Sequence, residues 1–441
     1  MKKYDLLILG FGKGGKTLAK SASAQGMKVA VVEKSQKMYG GTCINIGCIP
    51  SKTLIHEGLE SGSFNQSLHR KEEVVTSLNK KNYHNLADDK NITVLDNKAV
   101  FKSNTEVNLL DEQGKVIDTL TANNIVINTG ATPVIPGIQG IQKSKYLYDS
   151  TGIMNLNEKP KRLVIVGGGY ISLEFASMFA NFGTEVTVLE MKERLMPKED
   201  EEIVSHVIKD LEDKNVKIVL DTQTSAFEDQ DDHTVVKTNR GDIEADAVLL
   251  AIGRKPNTED LNLENTDIKL GERGEIKVDN QLKTDINHIY TIGDVKGGMQ
   301  FTYISLDDFR IVNDQLLGSG ERTTENRGSI PYTVFIDPPL SRIGLTAKEA
   351  KEQGYNIKEG KLPVNNIPRH KINNDTRGLF KVVIDTKTNK ILGATLYGLQ
   401  SEEMINIIKL AIDQDIDYTI LRDNIYTHPT MIESFNDLFN I

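Results

Sequence analysis

The chain is poor in sulfur: of its 441 residues only two are cysteine, Cys43 and Cys48. So low a count excludes a disulfide-stapled secreted scaffold, because one bridge over so short a loop would stabilise a large protein very little. Long apolar runs are also missing, and none approaches the ~20 residues that a membrane span needs. The opening lysines, Lys2 and Lys3, imitate a signal peptide, yet the apolar run Leu6 to Leu9 stops at Gly10 and no small-residue cleavage site follows. Positive charge is short as well. Lys+Arg number 53 against 62 Asp+Glu, a formal net charge of −9, which argues against nucleic acid or an anionic membrane as partner. These absences predict a cytoplasmic protein, where a lone thiol pair is cycled rather than permanently oxidised. At 38% hydrophobic and 26% charged, the composition is that of an ordinary globular chain. Its length allows about two to four domains.

What is present gathers around the two thiols. They lie in Gly41-Thr42-Cys43-Ile44-Asn45-Ile46-Gly47-Cys48-Ile49-Pro50-Ser51-Lys52. A close pair in an otherwise cysteine-free chain reads as a redox device; the competing reading is two structural thiols that are neighbours by chance. Upstream, the apolar run Asp5 to Leu9 leads into Gly10-Phe11-Gly12-Lys13-Gly14-Gly15. A helical pattern through Leu18, Ala19 and Ala22 follows, then a strand from Lys28 to Val32 that ends in Glu33. This is the order of a dinucleotide fingerprint. Gly10 and Gly12 permit a tight turn and close approach of a pyrophosphate, Gly15 lets helix pack on strand, and Glu33 accepts from an adenosine ribose.

The device recurs. Arg162 to Val166 leads into Gly167-Gly168-Gly169, Ser172 takes the third-glycine place, and Glu185 to Leu189 ends in Glu190. Two nucleotide sites with a thiol pair after the first predict a relay from one dinucleotide to another and then to sulfur. Glu190 favours a free 2′-hydroxyl, hence NADH, because a carboxylate repels a 2′-phosphate. Lys192 and Arg194 would soften that preference unless they are solvated surface. Thr129-Gly130 ends a buried strand, Gly253 repeats that design in the second half, and Asp294 follows the strand at 288–292, placed to hold a cofactor hydroxyl. Each alone is strand–turn punctuation. His56, just past the start of the thiol helix, reads as structural.

At these residues the chain resembles the flavoprotein pyridine-nucleotide disulfide oxidoreductases, which include lipoamide dehydrogenase, glutathione reductase and mercuric reductase. The similarity runs from Tyr4 to the C-terminus, and residues 40–52 carry its most specific motif. The resemblance implies an α/β fold, glutathione reductase-like, with two Rossmann-like dinucleotide-binding domains and a C-terminal α+β dimerisation domain. It places an FAD-binding domain with the redox pair at 1–149 and an NAD(P)H-binding domain at 150–262. A central segment completing the FAD site then covers 263–328, and the interface domain 329–441. It further implies that Gly41, Thr42, Lys52, Thr129, Gly130, Asp294 and Phe301-Thr302-Tyr303 join the first fingerprint around FAD. NADH or NADPH would dock on Gly167, Gly169 and Glu190, near Glu174 and Gly253. Cys48 is implied as the flavin-side thiolate and Cys43 as the outer thiol, with Lys52 and Glu174 an ion pair beside the flavin. The family signature His-Pro-x-x-x-x-Glu appears as His428-Pro429 and Glu433. It implies a homodimer in which His428, oriented by Glu433, serves the partner's thiol pair. No metal site is implied.

The subgroup narrows further. Mercuric reductases hand Hg(II) inward on an additional cysteine pair that this chain lacks, and they lack its His-Pro. Stretches 301–310, 403–409, 421–429 and 436–439 are similar to the bacterial reactive-chlorine-resistance (RclA-type) flavoproteins. That similarity implies reduction of a small-molecule oxidant, hypothiocyanous acid (HOSCN) to thiocyanate, in oxidative-stress defence. Tyr426 stands where the lipoamide and glutathione enzymes usually carry a second histidine. The alternatives are a lipoamide dehydrogenase (E3), a mercuric reductase-like enzyme or, from another class, a redox-sensing flavoprotein. A sensor needs no oriented acid–base group such as His428 with Glu433.

Overall fold

The computed structural model of the chain describes residues 2–60 and 62–441. Three sheets organise it. The first runs, in spatial order, Ile92–Leu95, Val29–Val32, Lys2–Leu9, Val116–Ile127, Glu106–Leu110 and Lys98–Phe101, with Ile289–Thr291 also pairing Val116–Ile127. Its central pairings are parallel, and all four residues of Val29–Val32 are buried. Burial on both faces is why these strands read as unbroken apolar runs. The second sheet repeats the plan with Val216–Val219, Glu185–Leu189, Arg162–Val166, Ala247–Leu250 and Leu147–Tyr148, all parallel. The third is antiparallel: Tyr332–Val334, Leu340–Gly344, Ile391–Tyr397, Leu379–Asp385 and Ile357–Pro363. The fold is thus two Rossmann-like units and an α+β unit.

Seven helices matter below: α1 (Lys13–Ala24), α2 (Thr42–Asn45), α3 (Cys48–Leu59), α4 (Phe64–Ala87), α5 (Tyr170–Asn181), α6 (Thr302–Leu317) and α7 (Ser401–Asp413). In α7 the helical spacing is as expected, with Met404 and Ile408 buried, while Ile407 is 38% exposed on the outer face. From its sequence Val334-Phe335 reads as a strand of the interface domain, but the observed strand ends at Val334. The Phe335 N–H leaves the ladder because it donates to Glu174 Oε1 at 2.9 Å, tying the third unit to α5. Among the described residues, no helix is long and apolar enough to cross a membrane.

One buried group makes this fold sensitive to acid. His370 is fully buried; its Nδ1–H donates to Asp375 O at 3.0 Å, and Nε2 has no partner among the described residues. Burial pulls its pKa below the ordinary 6.5. The unfolded chain therefore takes up a proton that the folded chain refuses. Stability from neutral His370 is complete above its unfolded value and is lost as pH falls through that range. A His370→Asn variant should lose less stability than wild type between about pH 7.5 and about pH 5.5, read from urea midpoints.

Candidate active site

The thiol loop is built on the first dinucleotide turn. Gly40 and Gly41 both lie in the left-handed region (φ +97° and +82°), where side chains are disfavoured. A Cβ on Gly41 would sit 2.7 Å from Gly12 Cα, so glycine at both places lets the two loops touch. Asn45 Nδ2 then donates to Tyr39 O and Gly41 O at 3.0 and 2.9 Å. This lattice presents Cys43 on α2 and Cys48 at the start of α3.

The two thiols are unbridged in this structure and electrostatically unequal. The interaction between the two neighbouring thiols lowers the Cys48 pKa and, together with burial, raises that of Cys43. Thr302 Oγ1 lies 3.6 Å from Cys48 Sγ, and the Lys52 charge adds to the lowering, while burial and Glu174 oppose it. The site therefore favours negative charge on Cys48 over Cys43.

Lys52 is one turn beyond Cys48 on α3, and its Nζ bonds Glu174 Oε2 of α5 at 2.6 Å. The same ammonium lies 4.9 Å from the centre of the Phe335 ring. Glu174, itself 8% exposed, thus joins three units through Lys52 and the Phe335 N–H.

Both nucleotide turns are closed by their acids in one way. Glu33 accepts from the Phe11 and Ser35 N–H groups, each at 3.1 Å; burial raises its pKa against these donors. Glu190 accepts from Gly168 N–H at 2.7 Å and Lys192 N–H at 2.9 Å. The Lys192 side chain is exposed and Arg194 pairs with Glu201, so neither cation neutralises Glu190. Gly169 opens outward: a Cβ there would meet no atom within 4 Å. Ser172 is buried in the third-glycine place, its hydroxyl without a partner among the described residues.

Thr129, Gly130 and Gly253 fall at the junction of the two nucleotide units. Thr129 Oγ1 donates to Asn257 O, Asn257 Nδ2 donates back to Thr129 O, and Asn257 N–H donates to Gly130 O, all at 2.9 Å. Gly253 O accepts from Val134 N–H at 3.0 Å. Asp294 is desolvated, which raises its pKa, and its carboxylate has no hydrogen-bond partner among the described residues. A carboxylate so placed suits a ligand hydroxyl. The open face of Gly169, the bare Asp294 carboxylate and the turn at Gly10–Gly15 therefore fit two dinucleotides.

Phe301, Thr302 and Tyr303 separate in role. Thr302 faces Cys48, whereas the Phe301 ring stacks on Tyr303 (centroids 5.0 Å) and Tyr332 (6.3 Å). Tyr332 in turn stacks on Tyr170 at 5.6 Å. His428 is far more open: its side chain is 71% exposed, and Nδ1 lies 2.8 Å from Glu433 Oε2. Glu433 Oε1 also accepts the Thr430 N–H at 3.1 Å, so the acid is fixed and the imidazole is aimed outward. Among the described residues, Glu433 is its one hydrogen-bond partner. His56 is exposed and joins no site.

Several groups of this site escape a reading of motifs. Asn128, buried, accepts Gly15 N–H at 2.9 Å and donates to Ile292 O at 3.1 Å, locking the glycine turn to the strand before Asp294. Ser305 Oγ accepts Gly14 N–H at 3.1 Å. Arg254 donates to Ala131 O at 2.5 Å, with Asp294 and Cys48 in its field. The only sequence signal was a polar residue ending a buried strand at Asn128.

This geometry, an unequal thiol pair between two dinucleotide turns, defines a flavoprotein disulfide oxidoreductase, and the chain belongs to the family of pyridine nucleotide-disulphide oxidoreductases. The family pattern matches residues 4–308, and its dimerisation domain matches 330–439. Among relatives, the probable pyridine nucleotide-disulfide oxidoreductase RclA of Escherichia coli (strain K12) is 48% identical over 441 residues, covering all of both chains. A mercuric reductase of Staphylococcus aureus is 33% identical over 98% of this chain and 81% of its own length. The Cu(II) complex of HOCl-induced flavoprotein disulfide reductase RclA from Escherichia coli superposes with a TM-score of 0.97. It shares 48% identity and covers 100% of this chain and 99% of that one. Enzymes of this family use FAD and NAD(P)H, and the chain is an NAD(P)H-dependent oxidoreductase acting on sulfur groups.

Proposed function

We propose that the chain spends NADH to reduce a small electrophilic oxidant, foremost HOSCN, through Cys43 and Cys48. The observation that carries this reading is the unequal pair: Cys48 at the start of α3, with Thr302 Oγ1 at 3.6 Å and the Lys52 charge favouring its anion, beside Cys43, whose pKa is raised. Gly10, Gly12, Gly15, Glu33, Gly41, Thr42, Thr129, Gly130 and Asp294 would hold FAD; Gly167, Gly169 and Glu190 would hold NADH. Bound FAD supplies the conversion of a hydride into the electron pair that opens a disulfide.

The protein's own groups do the rest. His428 of a second subunit takes the Cys43 proton, and the Cys43 sulfur attacks the electrophilic sulfur of HOSCN. A Cys43–SCN bond forms and the S–O bond breaks. Hydroxide leaves as water with the proton returned by His428. Cys48 then displaces thiocyanate and closes the Cys43–Cys48 bridge, which the electrons of NADH reopen. Overall, NADH and HOSCN give NAD+, thiocyanate and water. Lys52, pinned by Glu174, holds positive charge where the Cys48 anion forms. The absence of further cysteines in the sequence disfavours mercury as the substrate.

The deciding experiment is NADH oxidation by the purified protein with HOSCN, oxidised glutathione, lipoamide, Cu(II) and Hg(II) in parallel. HOSCN should give the highest kcat/KM; faster turnover with lipoamide would make the protein an E3 enzyme instead. A His428→Ala variant should lose about 10²–10⁴-fold in oxidant-dependent rate, while stopped-flow reduction by NADH stays near normal. Truncating Glu190 to alanine should lower kcat/KM for NADH about tenfold and narrow the gap to NADPH, since a charged hydrogen bond to the ribose is lost.

A further inference from the structure

We infer that Phe335 is a positioning residue for Lys52: the face of its ring holds the ammonium in the ion pair with Glu174, on the side of α3 that carries Cys48. This rests on the thiol reading above. Lys52 Nζ has one hydrogen-bond acceptor among the described residues, Glu174 Oε2 at 2.6 Å, and its side chain is 31% exposed. An ammonium with donors to spare on a flexible stem would swing into water. Here it lies 4.9 Å from the centre of the Phe335 ring, within the ~6 Å at which a ring face attracts a cation. The ring does not depend on Lys52 for its place. Phe335 N–H donates to Glu174 Oε1 at 2.9 Å and Asp337 N–H to Ser177 Oγ at 3.2 Å, which fastens the segment to successive turns of α5. Val334 and Ile336, on either side, are buried. One residue of the third unit thus grips both members of the pair, its N–H the acid and its ring the base.

The consequence falls on Cys48. Cys48 and Lys52 are four residues apart on α3, hence on one face, and a helical side chain leans toward the turn before it. Lys52 fixed there favours the Cys48 anion, whereas Glu174 opposes it. The balance depends on where the ammonium stands, because the Phe335 N–H holds the acid independently of the ring. The other groups around Cys48 are Cys43 on α2, the Thr302 hydroxyl of α6, and Arg254 and Tyr303, which share its field. Replacing the ring leaves all of these in place. A side chain without the negative face would let Lys52 move toward solvent and leave Glu174 uncompensated beside the sulfur.

The test uses FAD-loaded Cys43→Ser protein, in which Cys48 is the single thiol, and titrates Cys48 against pH. The midpoint is read from the long-wavelength flavin absorbance that a neighbouring thiolate produces, and again from the rate of iodoacetamide alkylation. Phe335→Leu should raise it by about half a unit, seen as about threefold less thiolate below the midpoint. The ring of 3,4,5-trifluorophenylalanine at position 335 keeps its shape but loses the negative charge of its face. It should match Phe335→Leu, and it carries the test alone if Phe335→Leu does not fold. In a Lys52→Met background neither change should move the midpoint further, whereas a packing defect would act there too. An unmoved midpoint in either ring variant, or the same rise in the Lys52→Met background, overturns the inference. Loss of the flavin signal alone would fault the flavin-side placement of Cys48 and leave alkylation to decide. HOSCN does not enter the titration, so failure of the oxidant reading would leave this result standing.

Discussion

Replacing Cys43 with serine should lower HOSCN-driven NADH oxidation by about 10³-fold or more, because a hydroxyl supplies almost no anion at neutral pH and attacks sulfur poorly. Cys48→Ser should fail differently. Cys43 would still form one adduct, but nothing would displace thiocyanate from it, and the bridge that returns to the dithiol state could not form. The expected signature is a single stoichiometric burst of oxidant consumption followed by a stalled enzyme. Mass spectrometry should find the Cys43 adduct in that variant. Both variants should still be reduced by NADH in stopped flow, since neither thiol touches the Gly167–Glu190 turn. Undiminished steady-state turnover in both would end the thiol mechanism.

The second large effect is on stability and cofactor retention. Asp308 on α6 is fully buried. It accepts the Gly293 N–H at 2.8 Å, takes Arg327 Nη2 at 2.8 Å, and lies 3.4 Å from Lys296. Those cations are themselves almost covered, with side chains 11% and 10% exposed. Asp308→Ala would strand the buried Lys296 charge and an N–H, and would leave Arg327 with Asp307 alone at 3.2 Å; removing one partner of a buried pair costs about 3–5 kcal/mol. Asp308→Asn keeps the shape and the acceptor for Gly293 and should cost less. Because Gly293 begins the turn that carries Asp294, the alanine variant should also release FAD more readily. Denaturant unfolding and the flavin-to-protein absorbance ratio of the purified variants would measure both. Wild-type stability and full flavin content in Asp308→Ala would refute this account of the turn.

The chemistry was legible wherever it was written in consecutive residues. The glycine turns at 10–15 and 167–169, their closing acids Glu33 and Glu190, and the spacing of Cys43, Cys48 and Lys52 all depend on local geometry, so short windows carry them. Lys52 with Glu174 was legible through resemblance, although 122 positions separate the pair. Where reading failed, the reason is distance. Asn128 acts on Gly15, 113 residues away, and Ser305 acts on Gly14, 291 away. Neither belongs to a local pattern. The first strand of the third sheet stops at Val334 because an acid on α5 outcompeted the ladder for the Phe335 N–H.

By itself, then, the sequence determined the two dinucleotide turns, the redox pair and the absence of a membrane-spanning run, because each depends on neighbours in the chain. Only the tertiary structure decided which sulfur the surroundings favour as the anion, that Glu174 pins Lys52, and that His428, held by Glu433, is exposed. Charge and hydrogen bonding act through space, and the groups that set them here come from α3, α5 and α6, far apart in the chain and brought together by packing.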